Sequence, residues 1–373
     1  MTTKTYRPTW AEINLKHVRH NLNEIKKFVP KDVEIMPVVK ANAYGHGIVE
    51  VSKELIKCGI ARLGVATVDE ALKLRENGVK TPVLVLGSTL EDEAQIAVKN
   101  NITLTLCDER LLEDLVSVTR RLKKKAIVHV KIDTGMGRLG VWYEEALELI
   151  KKVHAEKNIE LEGVYTHFSS AARDAMYTEM QINNFDHVLK GMERKGIEVK
   201  YRHAANSIAT VDWGRMQFNL VRPGIMLYGI YPKESFRETL DLAPLMTLKT
   251  KIVFLKDTPP GRALSYGRTF ITQANTKIAT IPIGYADGYG RILSNKGEAL
   301  VRGVLARVVG IVTMDQTLLD VGHIPDVKVG DEVVLIGKQK NSVISAEAIS
   351  KLAKTIPYEI LVGLGERVPR VYM

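Results

Sequence analysis

The sequence predicts an α/β chain with an added β domain: a (β/α)8 barrel of the TIM type over residues 12–242, then a mainly β-strand domain over residues 243–373. Residues 1–11 are expected to pack on the second domain. Three observations predict this. Before Leu242, short apolar runs alternate with longer amphipathic stretches eight times, in about the length such a barrel takes. After Leu242 the texture changes to alternating Val, Ile and Thr broken by Gly, Pro and Asp-rich turns. A chain of 373 residues also exceeds one typical compact domain.

Taken in order, Leu15, Val18, Leu22 and Ile25 repeat at helical spacing, with Asn14 as the N-cap. Strand-like runs then begin near Val33 (VEIMPVVK), Leu63 (LGVAT), Pro82 (PVLVLG), Thr103 (TLTLC), Ala126 (AIVHVKID), Leu161 (LEGVYTHF), Lys200 (KYRHAA) and Asn219 (NLVRPG). Charged stretches of helical period separate most of them: Asp69–Asn77, Glu91–Asn100, Asp108–Leu122, Glu144–Glu156 and Thr178–Lys195. The last crossover is the weakest, because Ile208–Met216 is short for a helix. In the second domain LMTLKTKIVFLKD, TKIATIPIG, LVRGVLARVVGIV and DEVVLIG read as strands, and Ala346–Lys354 as one helix.

Composition narrows the function classes. With 45% hydrophobic and 26% charged residues the chain reads as a soluble globular protein. No stretch has the length and apolarity of a membrane span, so no membrane partner is expected. The net charge of +10 is spread out: residues 1–242 carry 36 Lys+Arg against 32 Asp+Glu, and residues 243–373 carry 17 against 11. The one dense run, Arg120 to Lys125, suits the basic last turn of a helix better than a nucleic-acid patch. No nucleic-acid partner is expected. Cys58 and Cys107 have no metal-ligand spacing, so they are read as reduced thiols of a cytoplasmic protein, and no metal site is expected.

Reactive side chains fall where a barrel keeps its active site, at the C-terminal ends of the strands. The first strand ends in Lys40 and the fifth holds Lys131, with Arg138 soon after. The sixth ends at His167, the seventh at His203 and Asn206, and the eighth at Arg222. Lys40 follows the apolar run Met36-Pro37-Val38-Val39. Desolvation there would lower its ammonium pKa from roughly 10.4 toward neutrality, as a lysine that attacks a carbonyl needs. Tyr44-Gly45-His46-Gly47 sets a hydroxyl and a flexible backbone close by, suited to a phosphate or carboxylate. Asn206-Ser207 and Arg222-Pro223-Gly224-Ile225 lie in the loops after strands seven and eight, the usual phosphate place of such barrels. Each feature alone has a plainer reading, as a strand-end lysine or a commonplace turn.

Eight segments together resemble the alanine racemase family: VVKANAYGHG (38–47), KIDTGMGRLG (131–140), HAANS (203–207), VRPGIMLYG (221–229), SYGR (265–268), IPIGYADGYGR (281–291), MDQ (314–316) and RVPRVY (367–372). They occur in the family's order, and the resemblance as a whole runs from about Pro8 to Tyr372. The resemblance implies a racemase that uses pyridoxal 5'-phosphate to interconvert L- and D-alanine, supplying D-alanine for peptidoglycan. It implies that Lys40 bonds the cofactor and moves the α-proton on one face, and that Tyr266 of the partner subunit acts on the other, in a homodimer. Two groups must flank a planar carbanion for its configuration to be lost, and the cofactor delocalises its charge.

The same resemblance assigns Tyr44, Ser207, Gly224, Ile225 and Tyr358 to the phosphate, with Asn206 beside them, and His203 to packing on the ring. Arg222 would face the pyridine nitrogen, which an always-charged guanidinium leaves unprotonated, and His167 would link it to the tyrosine. Arg138 and the backbone of Met314 would hold the substrate carboxylate, near Asp315 and a gate at Tyr285. Lys131 matches a lysine that is commonly carbamylated and then steadies Arg138. Two other enzymes stay open: a serine or broad-specificity racemase, and a decarboxylase of the same architecture. The decarboxylase typically has a cysteine near the second-domain site, and Cys58 and Cys107 both lie in the barrel half.

Overall fold

The structure is a computed structural model and describes residues 6–373. Packing divides them into two units. One holds the described residues up to His17, then Tyr44–Gly47 and Ala243–Met373; the other holds Val18–Ala43 and Ile48–Leu242. The sequence assigns residues 12–17 and 44–47 to the barrel, whereas packing assigns them to the β unit. The reason at 44–47 is close backbone approach. Gly45 has φ +86° and lies so near Leu361 that a Cβ would come within 2.2 Å of its carbonyl oxygen. Arg370 Nε also donates to the Gly45 carbonyl (2.9 Å). Of the expected N-terminal segment, residues 1–5 lie outside the described residues.

The chain enters on strand β1 (Thr9–Ile13), which belongs to the β unit, and helix Leu15–Lys26, where the Asn14 side chain accepts from the Lys16 N–H. The barrel strands follow: β2 (Glu34–Ile35), β3 (Leu63–Val65), β4 (Val83–Val85), β5 (Thr103–Leu106), β6 (Ala126–Asp133), β8 (Ile159–Tyr165), β9 (Tyr201–His203) and β10 (Leu220–Val221), with a short β7 (Val141–Trp142) beside β6. They pair in parallel in the order β3-β4-β5-β6-β8-β9, and β10 pairs in parallel with β2. A bridge from Val38 to Gly64 joins the first strand to β3, and the Arg222 N–H donates to the Ala205 carbonyl beside β9 (2.9 Å). The eight strands thus close on themselves. Strands β3, β4 and β5 are buried at every position, as parallel strands covered on both faces must be.

The crossover helices are Ile48–Lys57, Val68–Glu76, Glu91–Lys99, Glu109–Leu122, Ala146–Ala155, Ala175–Arg194 and Ser207–Asp212. Several starts are set locally. Thr67, Asp108 and Asp174 each accept a first-turn N–H, satisfying a donor that has no partner inside the helix. The last crossover is one six-residue helix and a 3-10 turn, Gly214–Met216.

The β unit is built, among the described residues, on a ten-stranded sheet. Its members are β1, β11 (Met246–Lys251), β12 (Phe254–Thr258), β15 (Thr276–Ile281), β16 (Glu298–Val301), β17 (Val304–Val308), β18 (Thr317–Asp320), β19 (Glu332–Gln339), β20 (Ser342–Ile344) and β21 (Arg370–Tyr372). Between β12 and β15, β13 (Ala263–Leu264) and β14 (Phe270–Ile271) form a separate hairpin. All pairings in the large sheet are antiparallel except β1 with β21. Helix Ala346–Ala353 matches the expected one. A further helix, Pro357–Val362, is too short for a periodic signal, but Pro357 in its first turn is the residue that position favours.

Candidate functional site

Lys40 stands where the first barrel strand ends. The four residues after it, Ala41 to Tyr44, have φ of 52–54°, a run of left-handed backbone in which no residue is glycine. Each such residue costs about 1–2 kcal/mol, so neighbours must hold the turn. Glu70 does so from the next crossover: one carboxylate oxygen accepts the Ala41 N–H (2.5 Å) and the other the Ala66 N–H (2.7 Å). Asn42 Oδ1 accepts the Ile48 N–H (3.0 Å). The carboxylate thus grips the peptide that immediately follows Lys40. Burial, with help from the Arg138 charge, lowers the Lys40 pKa against an opposing pull from Glu70.

Lys131 is inside the barrel wall, 4% exposed. Burial first, and then the Arg222 guanidinium, bring its ammonium down to about 7. Asp133, at the end of β6, bends the chain back toward Arg138. Its carboxylate accepts the N–H groups of Gly135 (2.9 Å), Met136 (2.8 Å), Gly137 (3.1 Å) and Arg138 (3.1 Å). Burial resists its ionisation, but these four amides prevail and hold the carboxyl below its usual range. Arg138 is thereby fixed at its own backbone, with a charge that reaches Lys40, Lys131 and His167.

Arg222 is buried at 4% exposure, and its partners define its plane. Nη1 donates to His203 Nδ1 (2.7 Å); Nη2 donates to the carbonyls of Thr166 (2.7 Å) and Ala204 (3.0 Å) and lies 3.4 Å from His167 Nδ1. Burial, reinforced by Arg222, lowers both His167 and His203 well below the ordinary imidazole value. The Tyr165 ring stacks on His203 (centroids 4.6 Å, planes 3° apart). Beside them the loops after β9 and β10 meet, where the Gly224 N–H donates to Ser207 Oγ (2.8 Å), with Ile225 buried next to it. The Asn206 side chain turns to another task. Its Oδ1 caps the helix behind it by accepting from Ile208 and Ala209 (both 3.1 Å).

The β unit carries the remaining candidates. The rings of Tyr44 and Tyr358 lie 5.9 Å apart. Tyr266 opens a tight turn with Ser265 at φ 60° and Gly267 at φ 66°, tied down by a hydrogen bond from Ser265 Oγ to the Ile311 carbonyl (2.7 Å). Tyr266 is 72% exposed. Tyr285 and Met314 are neighbours: the Tyr285 N–H donates to the Thr313 carbonyl (3.1 Å) and the Ala286 N–H to that of Met314 (3.0 Å). Gly284 makes this possible, since a Cβ there would meet the Thr313 oxygen at 2.1 Å. Asp315 pairs with Arg367 (2.7 Å).

Sequence reasoning singles out ten candidates from Lys40 to Ile225 that the structure gathers on strand ends of the barrel unit. It misses the residues that hold them: Glu70, Asp133, Tyr165 and Thr166. Asp133 had a visible signal, an acid before the Gly-rich TGMG. Glu70 had none, because its contacts are made through folding alone.

Two family models match the chain: "Alanine racemase, N-terminal domain" over residues 13–232 and "Alanine racemase, C-terminal domain" over residues 245–372. A curated relative from Halothermothrix orenii, named alanine racemase, is 46% identical over 373 residues, covering 100% of this chain and 98% of the relative. Among solved structures, an alanine racemase of Clostridium difficile 630 superposes with a TM-score of 0.95 at 41% identity, covering 99% of this chain and 97% of that one. An alanine racemase of Bacillus anthracis, solved with bound L-Ala-P, gives a TM-score of 0.94 at 38% identity over 100% and 96% of the two chains.

Proposed function

The chain belongs to the alanine racemase family and is an amino-acid racemase; from that premise we propose that it interconverts L- and D-alanine with pyridoxal 5'-phosphate by two-base proton transfer. We propose further that it works as a cytoplasmic homodimer and supplies D-alanine for peptidoglycan.

The donor set of the barrel unit fits the cofactor. A desolvated lysine stands on a gripped turn, a cation with fixed orientation stands at Arg222, and Ser207 with Gly224 offers a hydroxyl and a backbone amide at the loop pair that suits a phosphate. Tyr44 and Tyr358, whose rings pair, and Ile225 are the further phosphate contacts of this reading. Asn206 shapes their loop through its cap, and His203 would pack against the cofactor ring. When bound, the cofactor supplies an electron sink that makes the Cα–H of alanine acidic.

Lys40 would hold the cofactor covalently at rest, and its amine, once the substrate amine has taken that place, would take or return the α-proton on one face. Tyr266 of the partner subunit serves the other face, with His167 linking it to Arg222. Arg138, kept in place by the Asp133 turn, binds the substrate carboxylate beside the Met314 backbone and Asp315, and Tyr285 gates the approach. Lys131, with a pKa of about 7, has a neutral amine available near pH 7. Adding CO2 to that amine forms an N–C bond and releases one proton, and the resulting carbamate attracts Arg138 where an ammonium would repel it.

The observation that carries the reading is the gathering of Lys40, Arg138 and Arg222 on strand ends of one barrel. The test is D-alanine formation from L-alanine with added pyridoxal phosphate, followed with D-amino-acid oxidase. Lys40→Ala should lower the rate by on the order of a thousandfold or more. Tyr266→Phe in heavy water should leave α-proton exchange for one enantiomer and suppress it for the other. Normal turnover by Lys40→Ala, or equal exchange of both enantiomers by Tyr266→Phe, contradicts the assignment.

A further inference from the structure

Behind Arg222 lies a file of buried polar groups that take no part in proton transfer. It runs through the barrel interior away from the strand ends. Arg222 Nη1 donates to His203 Nδ1 (2.7 Å), His203 Nε2 lies 2.8 Å from His129 Nδ1, and His129 Nε2 lies 2.9 Å from Glu162 Oε2. Arg62 closes the file with a two-pronged grip on Glu162, at 2.9 and 2.7 Å. His129 and His203 are 0% exposed and Arg62 is 3% exposed.

The donor and acceptor inventory allows one arrangement of protons along this line. A guanidinium only donates and a carboxylate only accepts. Arg222 therefore needs a bare Nδ1 on His203, which puts that ring's hydrogen on Nε2. That hydrogen needs a bare Nδ1 on His129, which puts the second hydrogen on Nε2, facing Glu162. Three hydrogen bonds and two neutral rings are satisfied together. A hydrogen placed on either Nδ1 would set two donors face to face.

We infer that Glu162, acting through His129 and His203, is a positioning residue for Arg222: it sets the hydrogens of both imidazoles so that the guanidinium keeps an acceptor behind it and presents a fixed cation to the ring of the cofactor. The inference rests on the reading of Arg222 given above. Packing is cut to suit the line. A Cβ on Gly163 would stand 2.7 Å from His129 Nδ1 and 2.9 Å from the Tyr201 carbonyl oxygen, so the glycine in the strand next to β6 leaves room for that ring beside β9. Tyr165 stacks on His203, and Tyr201 on His129 (centroids 5.9 Å, planes 20° apart), so neither imidazole is free to turn over. The Arg62–Glu162 pair by itself does not account for this. Buried ion pairs are weak sources of stability, and a pair kept for structure would need no imidazoles in register with Arg222.

The test begins with cofactor-free protein labelled in its histidine rings and read by ring-nitrogen NMR, with His129 and His203 assigned by single substitutions. Both rings should be neutral, bare on Nδ1 and protonated on Nε2. Glu162→Gln can donate as well as accept and should scramble that pattern. Arg62→Lys keeps the carboxylate and should preserve it. A second readout is the affinity for pyridoxal phosphate relative to its analogue with C–H in place of the ring nitrogen. The wild type should prefer the natural cofactor by about tenfold or more, the worth of a hydrogen bond to a charged group. Glu162→Gln should lose most of that preference, and Arg62→Lys should retain it.

A wild type without the preference refutes the placing of Arg222 at the ring nitrogen and leaves the ring-nitrogen spectra to judge the proton order. Preference and spectra both unchanged in Glu162→Gln overturn the positioning role. Should Glu162→Gln fail to fold, the wild-type spectrum decides, since a hydrogen on Nδ1 of either ring overturns the inference.

Discussion

Lys131 has no freedom to hide its charge in solvent, and that makes it a pH reporter. Its ammonium sits at about 7 in the folded protein because of burial, then Arg222, against an ordinary value of 10.5. Between those values the unfolded chain holds a proton that the folded chain has released, so folding stability rises with pH across that window. Below about 7 both states are protonated and the cost of burying the charge is fully present. The slope is at most about 1.4 kcal/mol per pH unit for one such group. Urea unfolding in CO2-free buffer at about pH 7 and about pH 9 should show the wild type gaining stability relative to Lys131→Met. An equal pH dependence in the two proteins would refute the assignment. Residue identities such as Lys40, Arg138 and Arg222 were legible because their motifs are local. The pKa shift of Lys131 was not, because the groups that cause it come from other strands.

At the scale of one element, the β6 turn shows how a backbone places a side chain. Asp133 is spent on four amides, and the fourth belongs to Arg138. Asp133→Asn keeps an oxygen for Gly135, Met136 and Gly137 but turns an amide donor toward the Arg138 N–H. The resulting mismatch should raise the KM for alanine by about tenfold with a smaller change in kcat. Steady-state kinetics in both directions would check it, and an unchanged KM with lowered kcat would mean that Arg138 does not hold the ground-state carboxylate. The eight barrel strands and most crossover helices were legible from period and caps, to within a few residues, whereas helix Ile48–Lys57 and short strands of the β unit such as β1, β18 and β21 were not. The left-handed turn after Lys40 was not, since Ala-Asn-Ala-Tyr has no glycine to announce it and Glu70 supplies its support from thirty residues on. Helix Pro357–Val362 was missed because six residues are too few for a period to register.

For the whole molecule, the exposed Tyr266 ring gives the dimer reading a sharp consequence. If each site joins Lys40 of one chain to Tyr266 of the partner subunit, Lys40→Ala and Tyr266→Phe are defective alone but complement when mixed. Random exchange of subunits makes half the dimers mixed, each with one intact site of two, so activity should recover to about a quarter of the wild type. No recovery after verified subunit exchange would place both groups in one chain. By itself the sequence determined the barrel, the β domain after Leu242 and the candidate residues for the chemistry, because these follow from short-range period, turn chemistry and motif. Only the tertiary structure decided that Tyr44–Gly47 packs with the β unit, that Glu70 and Asp133 hold Lys40 and Arg138, and that Glu162 stands in line behind Arg222. Those are contacts between distant positions, set by which strands and loops fold side by side, and no local pattern encodes such an adjacency.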